Sequence, residues 1–246
     1  MNAPLLSLDP GIDPDRLAHA YRAQGWVQIA PFLDAAGAER LRADIESRSE
    51  WTLALRAGVD RILAFDPEVR AAMSAAQRQA LDKLAAPGEG KALHYLYERI
   101  DLIGAAGVMA EAEAATSLGA FARFLSSEAV LGLVRAVTGA AGIGFAQAQA
   151  TRYAPGHFLT VHNDREDEGG RFAAYVFNLT PVWRPEWGGM LLFHDEAGDV
   201  EHGLAPRMNA LNLFAVPKRH SVGLVAPFAP RPRHAVTGWF RRAPAS

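Results

Sequence analysis

A change of hydrophobic period near Gly144 constrains the fold more than any other feature of this chain. Beyond it, short segments rich in β-branched and aromatic residues (158–163, 172–179, 190–194, 210–216, 218–225 and 234–240) alternate with Gly, Pro and Asp turns. Gly198-Asp199, Gly169-Gly170 and Gly188-Gly189 fall where hairpin turns are expected, which favours antiparallel pairing over a βαβ sheet. Short strands at this spacing predict a β-sandwich or barrel, and a jelly roll (double-stranded β-helix) fits best.

Before the switch the period is helical. Asp13-Pro14 opens an amphipathic stretch to about residue 24, Asp34 caps another to about 49, 68–84 carries apolar residues at helical spacing, and 124–137 ends at Gly139. The expectation is one domain, mainly β with N-terminal α: a mostly helical support over 1–142 bracing a catalytic core over 143–246. The 246 residues, half of them apolar, suffice for one core of ordinary size.

Composition narrows the chemistry. The chain has no cysteine, which excludes disulfides, thiolate-ligated haem, Cys-held iron–sulfur clusters and cysteine nucleophiles, so any metal site uses His and carboxylate. A net charge of −2 and the lack of a dense Lys/Arg run argue against nucleic acid or an anionic membrane as partner. No basic leader precedes an apolar stretch, and a cytoplasmic location is expected.

The segment Tyr153-Ala-Pro-Gly-His-Phe-Leu-Thr-Val-His162-Asn-Asp164 sets His162 and Asp164 two residues apart at a strand end, which predicts side chains on one face. His220 follows 56 residues after Asp164, far enough for the chain to circuit a jelly roll and return beside the pair. Two imidazoles and one carboxylate form the facial arrangement that suits Fe(II) in O2 chemistry. Arg233 offers a planar fork for a cosubstrate carboxylate, with Arg231 its rival across Pro232. His194-Asp195-Glu196 reads as a surface turn. His157, near the first ligand strand, either touches substrate or faces water, and His234 should point opposite to Arg233. Trp183 and Trp239 read as packing, whereas Trp187 sits in an irregular loop that could carry specificity.

The run from Tyr153 to Phe240 resembles the prolyl 4-hydroxylase-like branch of the Fe(II)/2-oxoglutarate dioxygenases, above all bacterial relatives of the ribosomal-protein prolyl hydroxylases. The likeness rests on Tyr153, His162-x-Asp164, the strand Ala174-Tyr-Val-Phe-Asn-Leu-Thr-Pro, the segment Trp183-Arg-Pro-Glu-Trp-Gly-Gly-Met-Leu-Leu-Phe, His220-x-Val222, and Arg233 six residues before Trp239-Phe240. Gly25-Trp-Val-Gln-Ile-Ala-Pro-Phe-Leu extends it to nearly the whole chain. The resemblance implies iron on His162, Asp164 and His220, the distal carboxylate of 2-oxoglutarate on Arg233, and a cosubstrate-holding role for Tyr153. Asn178 stands where some members place a tyrosine that donates to the same carboxylate, and a strand Asn facing a polar cavity is an equal reading. Two departures are visible: the 13-residue interval from His220 to Arg233 is long for the family, and Ala235 replaces a frequent Ser. The implied activity is hydroxylation of an unactivated C–H, with a prolyl residue of a polypeptide as the family-weighted substrate and small molecules also possible, using Fe(II), 2-oxoglutarate and O2 and no catalytic residue beyond the metal ligands. Two other readings stay open: a metal-dependent hydrolase or isomerase on a cupin-like barrel, and a non-catalytic binding module.

Overall fold

The computed structural model describes residues 6–59, 61–90, 92–166 and 170–243. Among the described residues, twelve strands form one antiparallel sheet that curls on itself, with six α-helices. The strands are β1 (Trp26–Ile29), β2 (Thr52–Ala57), β3 (Arg61–Phe65), β4 (His94–Ile103), β5 (Ile143–Tyr153), β6 (Phe158–His162), β7 (Arg171–Asn178), β8 (Leu191–His194), β9 (Val200–Leu204), β10 (Ala210–Ala215), β11 (His220–Val222) and β12 (Arg233–Arg242). Their order is β1-β10-β7-β12-β5-β4-β6-β11-β8-β9, with β2 and β3 added beyond β4.

Local chemistry sets the helix ends. In α1 (Pro14–Gln24) the Asp13 side chain accepts from Arg16 N–H, Pro14 needs no donor in the first turn, and Gly25 closes the helix at φ 75°. Asp34 caps α2 (Ala35–Ser47) through Gly37 N–H. The single helix expected over 68–84 is two, α3 (Pro67–Ala72) and α4 (Ala75–Ala85), because Ser74 and Gln77 form a capping box that restarts the chain. The helix expected over 124–137 likewise divides into α5 (Ser117–Leu125) and α6 (Glu128–Thr138) at Ser126-Ser127, where Ser126 Oγ accepts from Ala146 N–H of β5 at 3.0 Å.

The main core lies between the helices and one face of the sheet. Phe121 of α5 and Phe32 pack on Phe177 of β7 with ring centroids 4.7 and 5.7 Å apart, and Leu41, Val134, Val137 and Phe240 join the same fully buried cluster. The expected bracing of the sheet by helices is what the structure shows. No single helix among the described residues is long and apolar enough to cross a membrane; α5 and α6 together come near because their apolar faces fill this core.

The expectation that 1–142 is mostly helical needs correction. Four strands arise there, and β4 is integral to the core: it pairs with β5 and β6 and carries β2 on its free length. The Leu-, Ala- and Arg-rich strands β2 and β3 have good helix formers, and cross-strand pairing overrides that preference. In the C-terminal half, β9 was not anticipated and Gly198 serves the β8–β9 hairpin, as expected. Gly188-Gly189 is not a hairpin turn. It runs beside 224–226, and its left-handed backbone brings Gly188 so near Leu224 that an added Cβ would lie 2.0 Å from the Leu224 carbonyl. The Gly169-Gly170 turn lies partly outside the described residues.

Candidate metal centre

Strand β11 pairs antiparallel with β6 so that His220 stands opposite His162, and their rings lie 4.1 Å apart between centroids. Asp164 joins them by a route other than strand alternation. β6 ends at His162, and Asp164 adopts φ 59°, a left-handed conformation that Asp tolerates better than most residues. The turn swings its carboxylate back, with Oδ1 3.3 Å from His162 Nε2 and Oδ2 3.4 Å from His220 Nε2. One donor atom from each of the three residues lies within 4.8 Å of the other two. Among the described residues this is the one group of three or more His and carboxylate side chains so placed.

Both rings are set in a single orientation from behind. His162 Nδ1 lies 3.0 Å from the Thr160 carbonyl and His220 Nδ1 lies 2.8 Å from that of Lys218, contacts that turn each Nε2 forward toward the Asp164 carboxylate. Burial and the neighbouring His162 push His220 down to about 4, which keeps its imidazole neutral and ligand-ready near pH 7. Burial opposes the charged form of Asp164, but the bond from His162 and the two imidazoles outweigh it and hold the carboxyl at about 2. Two imidazole nitrogens and one carboxylate, aimed inward with the far sides of both rings hydrogen-bonded, suit a divalent metal such as Fe(II).

The centre opens into a cavity of about 390 Å3 enclosed by the curled sheet. At its inner end is Arg233, the first residue of β12, directly opposite Tyr153 of β5 and 2 % exposed. One Nη donates to the Gly189 carbonyl at 2.9 Å and the other approaches Asn178 Oδ1 at 3.5 Å, while Nε has no hydrogen-bond partner. No carboxylate among the described residues pairs with it, and burial pulls the guanidinium down to about 10. A buried cation with an open donor on the cavity wall suits the carboxylate of a bound acid. Tyr153 lines the same wall: its ring lies 5.5 Å from the Arg233 guanidinium carbon and stacks on Tyr97 at 5.2 Å. Burial raises the Tyr153 hydroxyl strongly and that of Tyr97 to about 12, so both are neutral donors near neutral pH.

The remaining expectations divide. Arg231 is exposed, so the buried role goes to Arg233. Asn178 is fully buried, donates to the Ala210 carbonyl at 3.3 Å and lies beside Arg233 rather than on the cavity wall. His157 is also off this wall, buried and accepting from Ala154 N–H at 3.1 Å. His234 faces away from Arg233 and stacks on Trp51 at 5.9 Å. His194 bonds to Ser221 Oγ at 2.8 Å, and Asp195 caps its own turn through Gly198 and Asp199. Trp187 packs edge-on against Trp183 at 5.5 Å. Sequence reasoning missed Tyr95, Tyr97 and Arg99 of β4, and Arg171, which bonds to the Asp164 carbonyl at 3.2 Å and lies over the Trp239 ring at 3.8 Å. The alternation of Tyr and Leu at 95–97 was the available signal.

Residues 148–241, which contain the three donors and Arg233, match the family model of the 2OG-Fe(II) oxygenase superfamily. That segment belongs to the 2OG-Fe(II) oxygenase superfamily. Its members use Fe(II), 2-oxoglutarate and O2, and the site has the groups for them. The fold of the chain is similar to a Pseudomonas putida prolyl-4-hydroxylase (TM-score 0.57, 21 % identity, covering 94 % of this chain and 99 % of that one). It is similar also to a Trichoplax adhaerens prolyl hydroxylase solved with a hypoxia inducible factor oxygen degradation domain peptide fragment (0.59, 14 %, 93 % and 89 %). A third likeness is to a 2OG-Fe(II) oxygenase family oxidoreductase from Burkholderia pseudomallei (0.61, 15 %, 96 % and 93 %). No curated protein sequence matches the chain as a relative.

Proposed function

We propose that this oxygenase hydroxylates an unactivated C–H of a polypeptide, with a prolyl residue as the target. The observation that carries the reading is the pairing, across one cavity, of an inward-facing His162–Asp164–His220 donor set with a buried Arg233 that lacks a carboxylate partner. The structural likeness to prolyl hydroxylases supports the choice of target.

When bound, Fe(II), 2-oxoglutarate and O2 supply the oxidation: one oxygen atom leaves in succinate as the cosubstrate loses CO2, and the other enters the substrate as a hydroxyl. The chain's part is placement. His162, Asp164 and His220 would hold the metal on one side, leaving the cavity side open for small ligands. Arg233 would receive the far carboxylate of 2-oxoglutarate, with Gly189 and Asn178 fixing its fork and Tyr153 flanking it. The apolar walls, Leu159, Val176, Leu191, Phe214 and Val222, limit water around the reacting groups. A metal-dependent hydrolase accounts for the three donors but leaves Arg233 without a purpose.

The test is incubation of the purified protein with Fe(II), 2-oxoglutarate, O2 and a library of proline-containing peptides. The expected result is succinate release coupled to the gain of one oxygen atom on a prolyl ring. Coupled oxidation confined to non-prolyl substrates would overturn the choice of target, and hydrolysis independent of 2-oxoglutarate would overturn the activity.

A further inference from the structure

Around the mouth of the cavity arginines outnumber carboxylates. Arg56 of β2, Arg99 of β4 and Arg171 of β7 line the cavity itself. Arg165, in the loop after β6, and Arg219, just before β11, join Arg56 and Arg171 along an open groove of about 550 Å3 that leads outward from His162 and Asp164. Five guanidinium groups thus reach one opening from five places in the sequence. The acidic side chains on these two surfaces, among the described residues, are Asp101 and Asp164, and Asp164 belongs to the metal centre.

Among the described residues, Arg56, Arg165 and Arg219 have no carboxylate partner. Arg171 is engaged, 3.0 Å from Glu166. By contrast, Arg56 donates to the Gly58 carbonyl at 2.9 Å and Arg219 to the Glu196 carbonyl at 3.3 Å, contacts that use a donor without neutralising the cation. Arg99 approaches Asp101 only at 3.6 Å, and its Nε is buried with no hydrogen-bond partner. An isolated surface arginine needs nothing beyond solvation. Three without a carboxylate partner among the described residues, beside the paired Arg99 and Arg171, make the lining of this opening cationic on a chain whose net charge is −2, and a cleft lined by one sign of charge concentrates ligands of the other.

We propose that the substrate is an acidic peptide segment, with Asp or Glu side chains near the residue to be hydroxylated seated on Arg56, Arg99, Arg165 and Arg219. The inference rests on the hydroxylase reading above and gives its substrate a charge. Arginine suits this use because its planar fork matches a carboxylate with two parallel bonds. A groove that continues outward from the metal donors suits an extended chain more than a small acid, which the inner cavity would hold whole. Nucleic acid is the poorer match: among the described residues that line the groove, His162 alone offers a ring on which a base could stack.

The test uses the protein loaded anaerobically with Fe(II) and 2-oxoglutarate. Three fluorescent proline-containing peptides of equal length, with Glu, Gln or Lys flanking the proline, are titrated by anisotropy. The Glu peptide is expected to bind at least about tenfold more tightly than the Gln peptide and the Lys peptide not to bind. That preference is expected to collapse in Arg56→Glu and in Arg219→Glu, and to fall as salt rises from about 0.01 M to about 1 M, where the screening length drops from about 30 Å to about 3 Å. Equal binding of Glu and Gln peptides in the wild type, or a preference unchanged in both variants, overturns the proposal. So does displacement of the Glu peptide by a single-stranded oligonucleotide or by free glutamate at an equal or lower concentration. Visible absorbance of the Fe(II)–2-oxoglutarate complex, read in the same samples, separates the two layers: absorbance without charge preference removes this inference alone, and charge preference without absorbance removes the oxygenase reading alone.

Discussion

Replacing Arg233 with methionine should stabilise the ligand-free protein while removing most of its response to 2-oxoglutarate. The guanidinium is buried against Tyr153, has no carboxylate partner among the described residues and is pulled from an ordinary value above 12 to about 10. It stays charged at pH 7 in both the folded and the unfolded chain, so the whole of that drop is a cost of folding. At about 1.4 kcal/mol for each tenfold change in proton affinity, the cost is about 3 kcal/mol. Methionine fills similar space and removes the charge, but it leaves the Gly189 carbonyl and Asn178 Oδ1 without their donor, a loss of about 1–2 kcal/mol. The net gain of about 1–2 kcal/mol corresponds to a rise in Tm of about 2–8 °C for a chain of this size. In the wild type with Mn(II) as an inert metal, 2-oxoglutarate at about 100 times its Kd should add about 2.7 kcal/mol. In the variant that increment should fall below about 1 kcal/mol, because losing one partner of a buried charge pair weakens binding by about 2–5 kcal/mol. Differential scanning calorimetry with and without 2-oxoglutarate reads both effects. A ligand-free variant more than about 2 kcal/mol less stable than the wild type, or one that keeps its 2-oxoglutarate increment, would refute the reasoning.

Three other outcomes are expected. His220→Ala should weaken Mn(II) or Fe(II) binding by more than about 100-fold by calorimetric titration, since one of three donors is gone. Gly188→Ala should cost about 3 kcal/mol or more in urea denaturation, because φ 65° is strained for alanine and its Cβ would meet the Leu224 carbonyl at 2.0 Å. Glu98 is 1 % exposed; burial raises its carboxyl, but bonds to Arg152 and the charge of Arg70 win and hold it low. A depressed acid contributes stability above its unfolded range, about 4.3, and loses it as pH falls through the folded value, so Glu98→Gln should flatten the decline in stability on acidification below about pH 4 relative to wild type.

The C-terminal half was legible because its chemistry is local: turn residues, β-branched segments and the spacing of His162, Asp164, His220 and Arg233 all survive in one dimension. The N-terminal half was less so. Strands β2 and β3 are written in Leu, Ala and Arg, which suit a helix equally well, and only the pairing of β2 with β4 decides between them. The same long-range pairing brings Tyr95, Tyr97 and Arg99 to the cavity, so their place in the site could not be read before β4 was found. Asp164 was placed correctly for an incomplete reason, since a left-handed turn after the strand, rather than strand alternation, delivers its carboxylate. Asn178 could be placed on its strand from the sequence, but its contacts with the Ala210 carbonyl and Arg233 depend on the pairing of β7 with β10 and β12.

The most direct test of the central claim is anaerobic titration of the protein with Fe(II) and then 2-oxoglutarate, followed by visible absorbance. The account predicts a weak charge-transfer band that saturates at one equivalent of each, is absent in His220→Ala, and needs far more 2-oxoglutarate in Arg233→Met. Iron bound by the wild type at His162, Asp164 and His220 with no band at any 2-oxoglutarate concentration would contradict it.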